Sequence, residues 1–450
     1  MVSTGGRFDS SGPLRGELRP PPDKSISHRA ALLGAMAEGE TAISRFLSSE
    51  DTGATLRAAA ALGAAIEEEP RSADAVDARV RGIGLLGPGE HASGKESEID
   101  VGNAGTLLRL LPGWLAGQGA GRWVLDGDES IRRRPVDRVA EPLSAMGAAV
   151  SCRDGRLPPL RVEGAPLAGI EYRLPVASAQ VKSCVLLAGL LAEGETTVVE
   201  PVPTRDHTER MLAATGADVH VEVTSVTVRA PAGRRVTVRR AERLEPGPVE
   251  VPGDFSSAAF VIVAALLVSG SEVRVAGVGL NPTRIGLLGI LRRMGAAVEV
   301  IEEPPSGGEP RGSVIGRHGP LTATRVGGAE VPAAIDELPL VALLGCFADG
   351  ATVVEGAEEL RHKESDRVAT VVAELRGLGA DIEERPDGFA VRGSGGLRGG
   401  RLDSHRDHRL AMLGAIAGLA SREGVEVTGM DAAAVSYPGF ESDLETLTRR

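Results

Sequence analysis

Cationic side chains gather at predicted helix starts in this sequence, and that combination binds phosphates and carboxylates. In residues 20–29, three prolines exclude a helix before Asp23, and Asp23 or Ser25 can cap the apolar helix that follows. Lys24, Ser25 and Arg29 add an ammonium, a hydroxyl and a guanidinium to the free N–H groups of the helix start. The segment is either an anion cradle or an ordinary capped, charged helix end.

Two further segments offer free N–H groups or cations. Residues 102–106 (Gly-Asn-Ala-Gly-Thr) form a glycine-rich turn before an apolar helix, where small residues such as Gly105 let backbone N–H groups approach an anion. Residues 132–135 (Arg-Arg-Arg-Pro) put three guanidiniums side by side, and these repel one another unless they face solvent or an anion. The proline favours an extended Arg134, which helps to aim its side chain.

Polar groups open two more predicted helices. Residues 178–183 (Ser-Ala-Gln-Val-Lys-Ser) place Ser178, Gln180 and Lys182 at a helix start, a set suited to a polyol phosphate. Residues 204–208 (Thr-Arg-Asp-His-Thr) precede the next helix. There, capping by a Thr or Asp side chain competes with the anion-binding interpretation.

The acidic groups come later in the chain. Asp336 and Glu337 stand just before an apolar helix, and residues 361–367 (Arg-His-Lys-Glu-Ser-Asp-Arg) mix both signs of charge. A carboxylate among cations can act as a base, and an ammonium beside other cations loses its proton more easily. A helix face of salt bridges is the alternative interpretation. Residues 407–409 (Asp-His-Arg) place another guanidinium at a helix start.

A unit that recurs six times must position these segments. It contains an apolar helix, a turn and a short strand, and its turn glycines are Gly39, Gly121, Gly194, Gly270, Gly350 and Gly424. An amphipathic helix ending in Gly-Ala recurs five times, at Gly63, Gly147, Gly216, Gly295 and Gly379. These repeats predict strand–helix–strand–helix–strand units with left-handed glycines at helix ends, the last unit being cut short after Tyr437.

Length and repeats together predict two domains of three units each. The Pro- and Gly-rich residues 245–248 follow the third unit, and the prolines at 20–22 offer a return crossing. We therefore expect one lobe at 22–245 and a second at 1–21 plus 246–450.

Composition excludes several classes of protein. The formal charge of −12 argues against nucleic-acid and anionic-membrane partners, and 2% aromatic content argues against base stacking. Three scattered cysteines and dispersed histidines predict neither disulfides nor a metal site. No phosphate-binding loop of a nucleotide enzyme is present, so no cofactor is expected. The start of the chain lacks the apolar core of a signal peptide, which favours a cytoplasmic protein.

Eight motifs then occur in one order: Asp-Lys-Ser-x-Ser-x-Arg, Gly-Asn-Ala-Gly-Thr, Arg-Pro, Ser-Ala-Gln, Thr-Arg-Asp-His-Thr, Ile-Asp-Glu, Lys-Glu-Ser-Asp-Arg and Asp-His-Arg. Over nearly the whole chain, the sequence resembles the 5-enolpyruvylshikimate-3-phosphate (EPSP) synthase family of enolpyruvyl transferases. The resemblance implies an α/β (α+β) fold: a two-lobed inside-out α/β barrel of six βαβαββ repeats, three per lobe, with the active site in the cleft. It also implies transfer of the enolpyruvyl group of phosphoenolpyruvate to shikimate 3-phosphate, with release of phosphate.

The resemblance assigns site residues by motif. The residues expected to contact shikimate 3-phosphate are Lys24, Ser25, Arg29, Ser178, Ala179, Gln180, Arg205, Asp336 and Lys363. Those expected around phosphoenolpyruvate are Lys24, Gly105, Arg134, Gln180, Glu364, Arg367 and Arg409. Asp336 is the expected base, Glu364 or Lys24 exchanges a proton with the substrate, and Asn103 lies behind the ligand-contacting layer.

The chain also departs from the family pattern. Ser436 precedes Tyr437-Pro438 where many members have Lys, which puts that cleft-closing contact in doubt, and Ser178-Ala179-Gln180 replaces Ser-Ser-Gln. Family variants that tolerate glyphosate often carry Ala at the Gly105 position, so glyphosate is expected to compete with phosphoenolpyruvate here. We expect a monomer whose partners are its two small substrates.

Two rival functions share the fold. The sister transferase acting on UDP-N-acetylglucosamine usually relies on a reactive cysteine, and none lies between Asn103 and Arg134. A non-catalytic sugar-phosphate binding protein would need the anion-binding groups without Asp336, Glu364 and Lys24, all of which are present.

Overall fold

The computed structural model describes residues 5–90, 96–119, 121–223, 233–328 and 330–449. Two compact units divide the chain. Unit I is Pro22–Pro252 with Pro305–Glu309, and unit II is the chain up to Pro21, Gly253–Pro304 and the chain from Pro310 onward. The chain thus passes between units next to Pro21 and next to Pro252, the latter seven residues beyond the predicted boundary at 245/246. Residues Pro305–Glu309 belong to unit I although they lie between two stretches of unit II, and the prediction did not include this short segment.

Several helices in the described residues start at the polar motifs. The helices are α1 (Lys24–Met36), α2 (Glu50–Ala61), α3 (Gly87–Glu90), α4 (Gly105–Ala116), α5 (Asp137–Ala145), α6 (Ala179–Gly189), α7 (His207–Ala214), α8 (Phe255–Leu267), α9 (Gly286–Arg293), α10 (Val331–Ala334), α11 (Leu338–Phe347), α12 (Arg367–Gly377), α13 (His408–Ala420) and α14 (Phe440–Thr448). Those that start at the polar motifs include α1, α4, α6, α7, α12 and α13. Short 3₁₀ turns lie at Ile131–Arg133, Glu358–His362 and Met430–Val435.

The strands contain between two and ten residues. They are β1 (Gly6–Phe8), β2 (Arg15–Leu18), β3 (Glu38–Leu47), β4 (Ala65–Pro70), β5 (Ala75–Ile83), β6 (Glu96–Asp100), β7 (Arg122–Asp126), β8 (Ala149–Arg153), β9 (Leu157–Glu163), β10 (Glu171–Arg173), β11 (Glu195–Glu200), β12 (Val219–Val223), β13 (Arg234–Arg239), β14 (Val249–Glu250), β15 (Glu272–Gly279), β16 (Ala297–Ser306), β17 (Glu309–Arg317), β18 (Arg325–Val326), β19 (Ala351–Val354), β20 (Asp381–Arg385), β21 (Gly388–Arg392), β22 (Gly400–Asp403) and β23 (Val425–Thr428).

One sheet topology recurs throughout the described chain. The strand orders are β14-β3-β5-β4, β6-β7-β9-β8 and β10-β11-β13-β12 in unit I, and β2-β15-β17-β16, β18-β19-β21-β20 and β22-β23-β1 in unit II. The first two strands of each sheet run parallel, and the third is antiparallel to the second. The predicted α/β class with six repeated units is confirmed, and the last sheet has three strands, as a shortened sixth unit implies.

Each unit is built around three helices that are buried on all sides along most of their length. In unit I these are α1, α4 and α6, and α4 contacts both of the others. In unit II they are α8, α11 and α13, which contact one another, and every residue of α8 is buried. A helix that exposes no face to solvent belongs inside a core. The polar starts of these six helices carry most of the predicted site residues.

Glycine conformation explains why the repeat could be seen in the sequence. All five Gly-Ala glycines have positive φ, between 71° at Gly295 and 113° at Gly63. Five of the six turn glycines also have positive φ, and Gly121 is the exception. A residue with a Cβ is strained in this conformation, so glycine marks the helix ends. The described helices include none that is long and apolar enough to cross a membrane.

Candidate active site

The start of α1 in unit I places one of the predicted cations. Asp23 caps the helix by accepting a hydrogen bond from the Ile26 N–H, which confirms one of the two predicted caps. Lys24 is half exposed, and its Nζ lies 3.0 Å from Asp51 Oδ2. Burial would raise the pKa of the Asp51 carboxyl, but His28 and Lys24 together lower it to about 2. A fixed carboxylate therefore holds the Lys24 ammonium, and no local pattern in the sequence linked residues 24 and 51.

Arg29 is buried and spans three helices. Its Nε donates to Thr208 Oγ1 at 2.7 Å, Nη2 to Ser183 Oγ at 2.9 Å and Nη1 to the Ser25 carbonyl at 2.9 Å. Burial lowers the pKa of Arg29 to about 10, which still leaves it protonated at neutral pH. The guanidinium ties the starts of α1, α6 and α7 together.

The glycine-rich turn joins directly to α4, which begins at Gly105 itself. Arg134 has the extended conformation predicted from the following proline, with φ −89° and ψ 126°. Its guanidinium lies against Gly105, where an added Cβ would overlap Arg134 Nη1. The close approach therefore requires glycine. Asn103 Oδ1 is buried and has no hydrogen-bond partner among the described residues.

Arg109 belongs to the same group, although it was not among the expected site residues. Its Nη1 donates to Gln180 Oε1 at 3.0 Å, and Gln180 Nε2 donates to Thr106 Oγ1 at 3.1 Å. Burial, and then the neighbouring charges of Arg138 and Arg134, lower the pKa of Arg109 to about 10. Like charges gathered in this way are stabilised by an anion. The sequence offered one indication that Arg109 belongs to the site: it lies one turn into the helix that follows the glycine-rich turn.

Lys182 corrects one prediction from the sequence. Ser178 caps α6 by accepting from the Val181 N–H at 3.4 Å, but Lys182 points away from the helix start into the core. Its Nζ lies 3.0 Å from Glu200 Oε2 and 2.7 Å from Glu209 Oε1, with no exposed surface on the lysine. Position four of a helix faces the interior here, so this lysine is a buried ion-pair partner and no part of an exposed anion cradle.

Arg205 lies in the loop between β11 and α7 and is half buried. Asp206 occupies the N-cap of α7 without a side-chain capping bond, and it pairs instead with Arg210 Nε at 2.8 Å. Capping by Asp206 therefore does not account for the motif at 204–208.

In unit II, Asp336 stands between two guanidiniums. Its Oδ1 lies 3.6 Å from Arg367 Nη1, and its Oδ2 lies 3.7 Å from Arg409 Nη2. Arg409 Nη1 also donates to the Asp336 carbonyl at 3.0 Å. A partly exposed carboxylate is thus held among cations, the arrangement that the sequence predicted for a base.

Glu337, the next residue, is buried beside the same arginine. Its Oε1 accepts from Ser256 Oγ at 2.5 Å and lies 3.8 Å from Arg409 Nη1. Burial raises the pKa of the Glu337 carboxyl to about 7, with Asp336 contributing and Arg409 opposing the shift. The Ile-Asp-Glu motif contained this residue, but the expected site omitted it.

Arg367 and Arg409 come from the starts of α12 and α13. Arg367 Nε donates to Asp407 Oδ2 at 2.8 Å, and its Nη2 donates to Glu364 Oε2 at 2.5 Å. Asp407 caps α13 by accepting from the Arg409 N–H at 2.9 Å. Asp407 is fully buried, so the guanidinium of Arg367 is fixed by an anion that solvent does not reach.

The segment around Lys363 is not the helix face that one interpretation required. A 3₁₀ turn ends at His362, α12 begins at Arg367, and the residues between them are not helical. Lys363 Nζ bonds Glu359 Oε1 at 2.8 Å. Lys363 and Arg367 are four residues apart in sequence, but they do not lie on the same helix.

The expected site residues fall into two groups, one in each unit. Unit I contains Lys24, Ser25, Arg29, Gly105, Arg134, Ser178, Ala179, Gln180 and Arg205, and unit II contains Asp336, Lys363, Glu364, Arg367 and Arg409. Within the described chain, no cluster of three His, Cys, Asp or Glu side chains is placed to hold a metal ion. Each group instead presents cations suited to organic anions.

Comparison with known proteins identifies the family. The family model described as "EPSP synthase (3-phosphoshikimate 1-carboxyvinyltransferase)" matches residues 8–444. The chain belongs to the EPSP synthase family. A 3-phosphoshikimate 1-carboxyvinyltransferase of Thermus thermophilus is 49% identical over 439 residues, covering 97% of both chains. A second EPSP synthase family member, from Prochlorococcus marinus, is 46% identical over 449 residues and covers 100% of this chain and 99% of its own.

Solved structures agree with this assignment. EPSP synthase from Acinetobacter baumannii superposes with a TM-score of 0.89 at 38% identity, covering 99% of this chain and 98% of that one. The enolpyruvyl transferase NikO from Streptomyces tendae has a TM-score of 0.68 at 18% identity, covering 98% of this chain and 96% of that one, and it shares the fold alone.

Proposed function

We propose that this chain is a 3-phosphoshikimate 1-carboxyvinyltransferase. It transfers the enolpyruvyl group of phosphoenolpyruvate to the 5-hydroxyl of shikimate 3-phosphate and releases phosphate. The observation that carries the proposal is the match, at 46–49% identity over nearly the full length, to proteins named for this activity. The geometry supports it, because two phosphates and two carboxylates must be neutralised and both units present buried or half-buried cations.

The group in unit I supports a site for the sugar phosphate. We assign Lys24, Ser25, Arg29, Ser178, Ala179, Gln180, Arg205, Asp336 and Lys363 to shikimate 3-phosphate. The bonds of Arg29 to Thr208 and Ser183 bring three of the carrying helices together, which favours this assignment.

Phosphoenolpyruvate is assigned to Lys24, Gly105, Arg134, Gln180, Glu364, Arg367 and Arg409. Two features favour the assignment. Arg134 lies over Gly105 beside Arg109 and Arg138, a set of like charges that an anion would relieve. Arg367 and Arg409 flank Asp336, so an anion bound there lies next to the proposed base.

The reaction is an addition followed by an elimination. Asp336 takes the proton of the 5-hydroxyl as that oxygen bonds to C2 of phosphoenolpyruvate, while C3 takes a proton from Glu364 or Lys24. Loss of a proton from C3 then restores the double bond as the C2–O bond to phosphate breaks. Guanidiniums fixed in advance stabilise the charge that develops on the tetrahedral intermediate.

The same proposal extends to the location, oligomeric state, cofactor use and inhibition of the protein. We infer a cytoplasmic, monomeric enzyme that uses no cofactor and that glyphosate inhibits in competition with phosphoenolpyruvate. An inhibition curve that stays flat to millimolar glyphosate would contradict the last of these.

Phosphate release from phosphoenolpyruvate tests the function, with shikimate 3-phosphate and UDP-N-acetylglucosamine offered in parallel. We expect release with the first acceptor alone. Release with the second alone would assign the chain to the sister transferase. Binding of both substrates without turnover would indicate a binding protein.

The variant Asp336→Ala sharpens the test. If Asp336 is the base, the variant loses about 10²-fold or more in kcat, a larger change than that in the KM of either substrate. A variant that keeps its turnover would remove Asp336 from the mechanism.

A further inference from the structure

Three charged side chains that the reaction does not use are buried together in unit I. Lys182 and Glu200 have no exposed side-chain surface, and Glu209 is 4% exposed. The lysine lies on α6, Glu200 ends β11 and Glu209 lies in the first turn of α7. One ammonium therefore joins three elements at distances of 3.0 and 2.7 Å.

Stability alone does not account for such a cluster. Buried ion pairs are often replaceable by apolar residues without loss of stability, since desolvation offsets the attraction. Here one ammonium serves two carboxylates, and burial raises the pKa of the Glu209 carboxyl. Lysine is also rare in this chain, which uses arginine at most cationic positions. A compact ammonium can bond two carboxylates from different directions, whereas the planar guanidinium fork demands more room.

The cluster connects to the loop that carries Arg205. While Glu200 Oε2 bonds Lys182, its Oε1 accepts from the Thr204 N–H at 3.1 Å and from the Thr204 hydroxyl at 2.5 Å. The backbone next to Arg205 is thus pinned to a buried carboxylate.

The cluster is also connected to Arg29, through the sequence neighbours of Glu209 and Lys182. Glu209 follows Thr208, and Lys182 precedes Ser183. The hydroxyls of Thr208 and Ser183 lie 2.6 Å apart and both accept from the Arg29 guanidinium. The ammonium therefore fixes the separation of the two hydroxyls that hold Arg29.

We propose that Lys182, Glu200 and Glu209 position Arg205 and Arg29 for the phosphate of the sugar substrate. The three residues act through other side chains and touch no substrate. The inference rests on the proposed function, because it takes Arg205 and Arg29 as the phosphate-binding pair.

The variant Glu200→Leu tests the inference, because it removes the bonds to Thr204 while leaving Lys182 and Glu209 as a balanced pair. We expect the KM and the calorimetric Kd for shikimate 3-phosphate to rise about tenfold, since small displacements of positioning groups weaken binding. The KM for phosphoenolpyruvate and kcat should stay within about threefold of the parent values.

Two further variants separate positioning from general loss of stability. Glu200→Gln keeps an acceptor for Thr204, so its KM for shikimate 3-phosphate should return to within about threefold of the parent. Val236→Ala, in the buried part of β13 in the same unit, should lower the melting temperature without changing that KM.

The outcomes separate this inference from the proposed function. An active parent whose Glu200→Leu variant keeps its KM for shikimate 3-phosphate, or raises both KM values equally, would overturn the positioning role alone. A Glu200→Gln variant as impaired as Glu200→Leu would also overturn it. A parent that neither binds shikimate 3-phosphate nor releases phosphate would refute the proposed function itself.

Discussion

At the scale of single residues, the ionisation of Glu337, the neighbour of the proposed base, is strongly altered. Burial raises the pKa of its carboxyl from 4.5 to about 7. The folded protein thus holds a proton on Glu337 that the unfolded chain releases between those values. The stability from this proton is complete below pH 4.5 and is lost as the pH rises through 7.

Replacing Glu337 with Gln removes this titration. We expect the free energy of unfolding of Glu337→Gln, relative to the parent, to increase by about 2–3 kcal/mol between pH 5 and pH 8. Urea unfolding at several pH values measures the difference. Glu129→Gln is the control, because that side chain is 86% exposed. A difference that does not change with pH would show that Glu337 does not titrate in this range.

Gly105 gives a second prediction for a single residue. A Cβ at this position would overlap Arg134 Nη1, the far end of a flexible side chain, so the fold should tolerate alanine while the guanidinium moves. For Gly105→Ala we expect the KM for phosphoenolpyruvate to rise about fivefold or more, with the KM for shikimate 3-phosphate nearly unchanged. Steady-state kinetics measure both, and Gly247→Ala, at a position with open space, is the control. An unchanged KM for phosphoenolpyruvate would contradict the assignment of Arg134.

Individual residues also show where the sequence was insufficient. The motifs located the cations, but the partners that fix them lie far away in the chain, as Asp51 does for Lys24 and Asp407 does for Arg367. Lys182 stood in a motif that favoured anion binding and is buried instead. Which way a side chain points at a helix start depends on tertiary packing, and spacing along the chain does not determine it.

At the scale of elements, glycine was the most informative residue. Its positive φ at helix ends is dictated by local sterics, so the repeat could be read without tertiary information. Local sterics were not sufficient everywhere: Gly121 lacks positive φ, and the segment after His362 is not helical.

Two glycines, one inside α9 and one just after it, test this argument. Gly295 has φ of 71° and Gly289 lies within the helix. Both are exposed; a Cβ at Gly289 would meet nothing within 4 Å, and one at Gly295 would make only an ordinary contact, at 4.0 Å from Thr322 Oγ1. Gly295→Ala should cost about 1 kcal/mol of stability, because an L residue is strained in the left-handed region. Gly289→Ala should gain about 0.5–1 kcal/mol by restricting the unfolded chain. Chemical unfolding measures both, and shifts of the same sign would refute the conformational explanation.

At the scale of the whole molecule, the units are not continuous in sequence, because unit II contains residues from both before and after unit I. The prolines near 20–22 and the Pro- and Gly-rich residues 245–248 predicted both crossings, but the exact place of the second, after Pro252, and the assignment of residues 305–309 to unit I depend on long-range pairing such as that of β14 with β3. Two N-terminal strands likewise complete sheets of unit II, β1 beside β23 and β2 beside β15. Unit II therefore needs residues that precede unit I in sequence.

Removing residues 2–18 tests this dependence, because it deletes β1, β2 and the fully buried Leu14 but no expected site residue. Exposed sheet edges and a lost core side chain should destabilise unit II. We therefore expect lower enzyme activity and a lower midpoint temperature for the first thermal transition followed by circular dichroism. Both tryptophans, Trp114 and Trp123, lie buried in unit I, so their emission should remain that of the parent. Removing residues 2–5 leaves every described strand intact and serves as the control. If the longer deletion left the thermal transition and activity unchanged, the N-terminal strands would not be part of the stability of unit II.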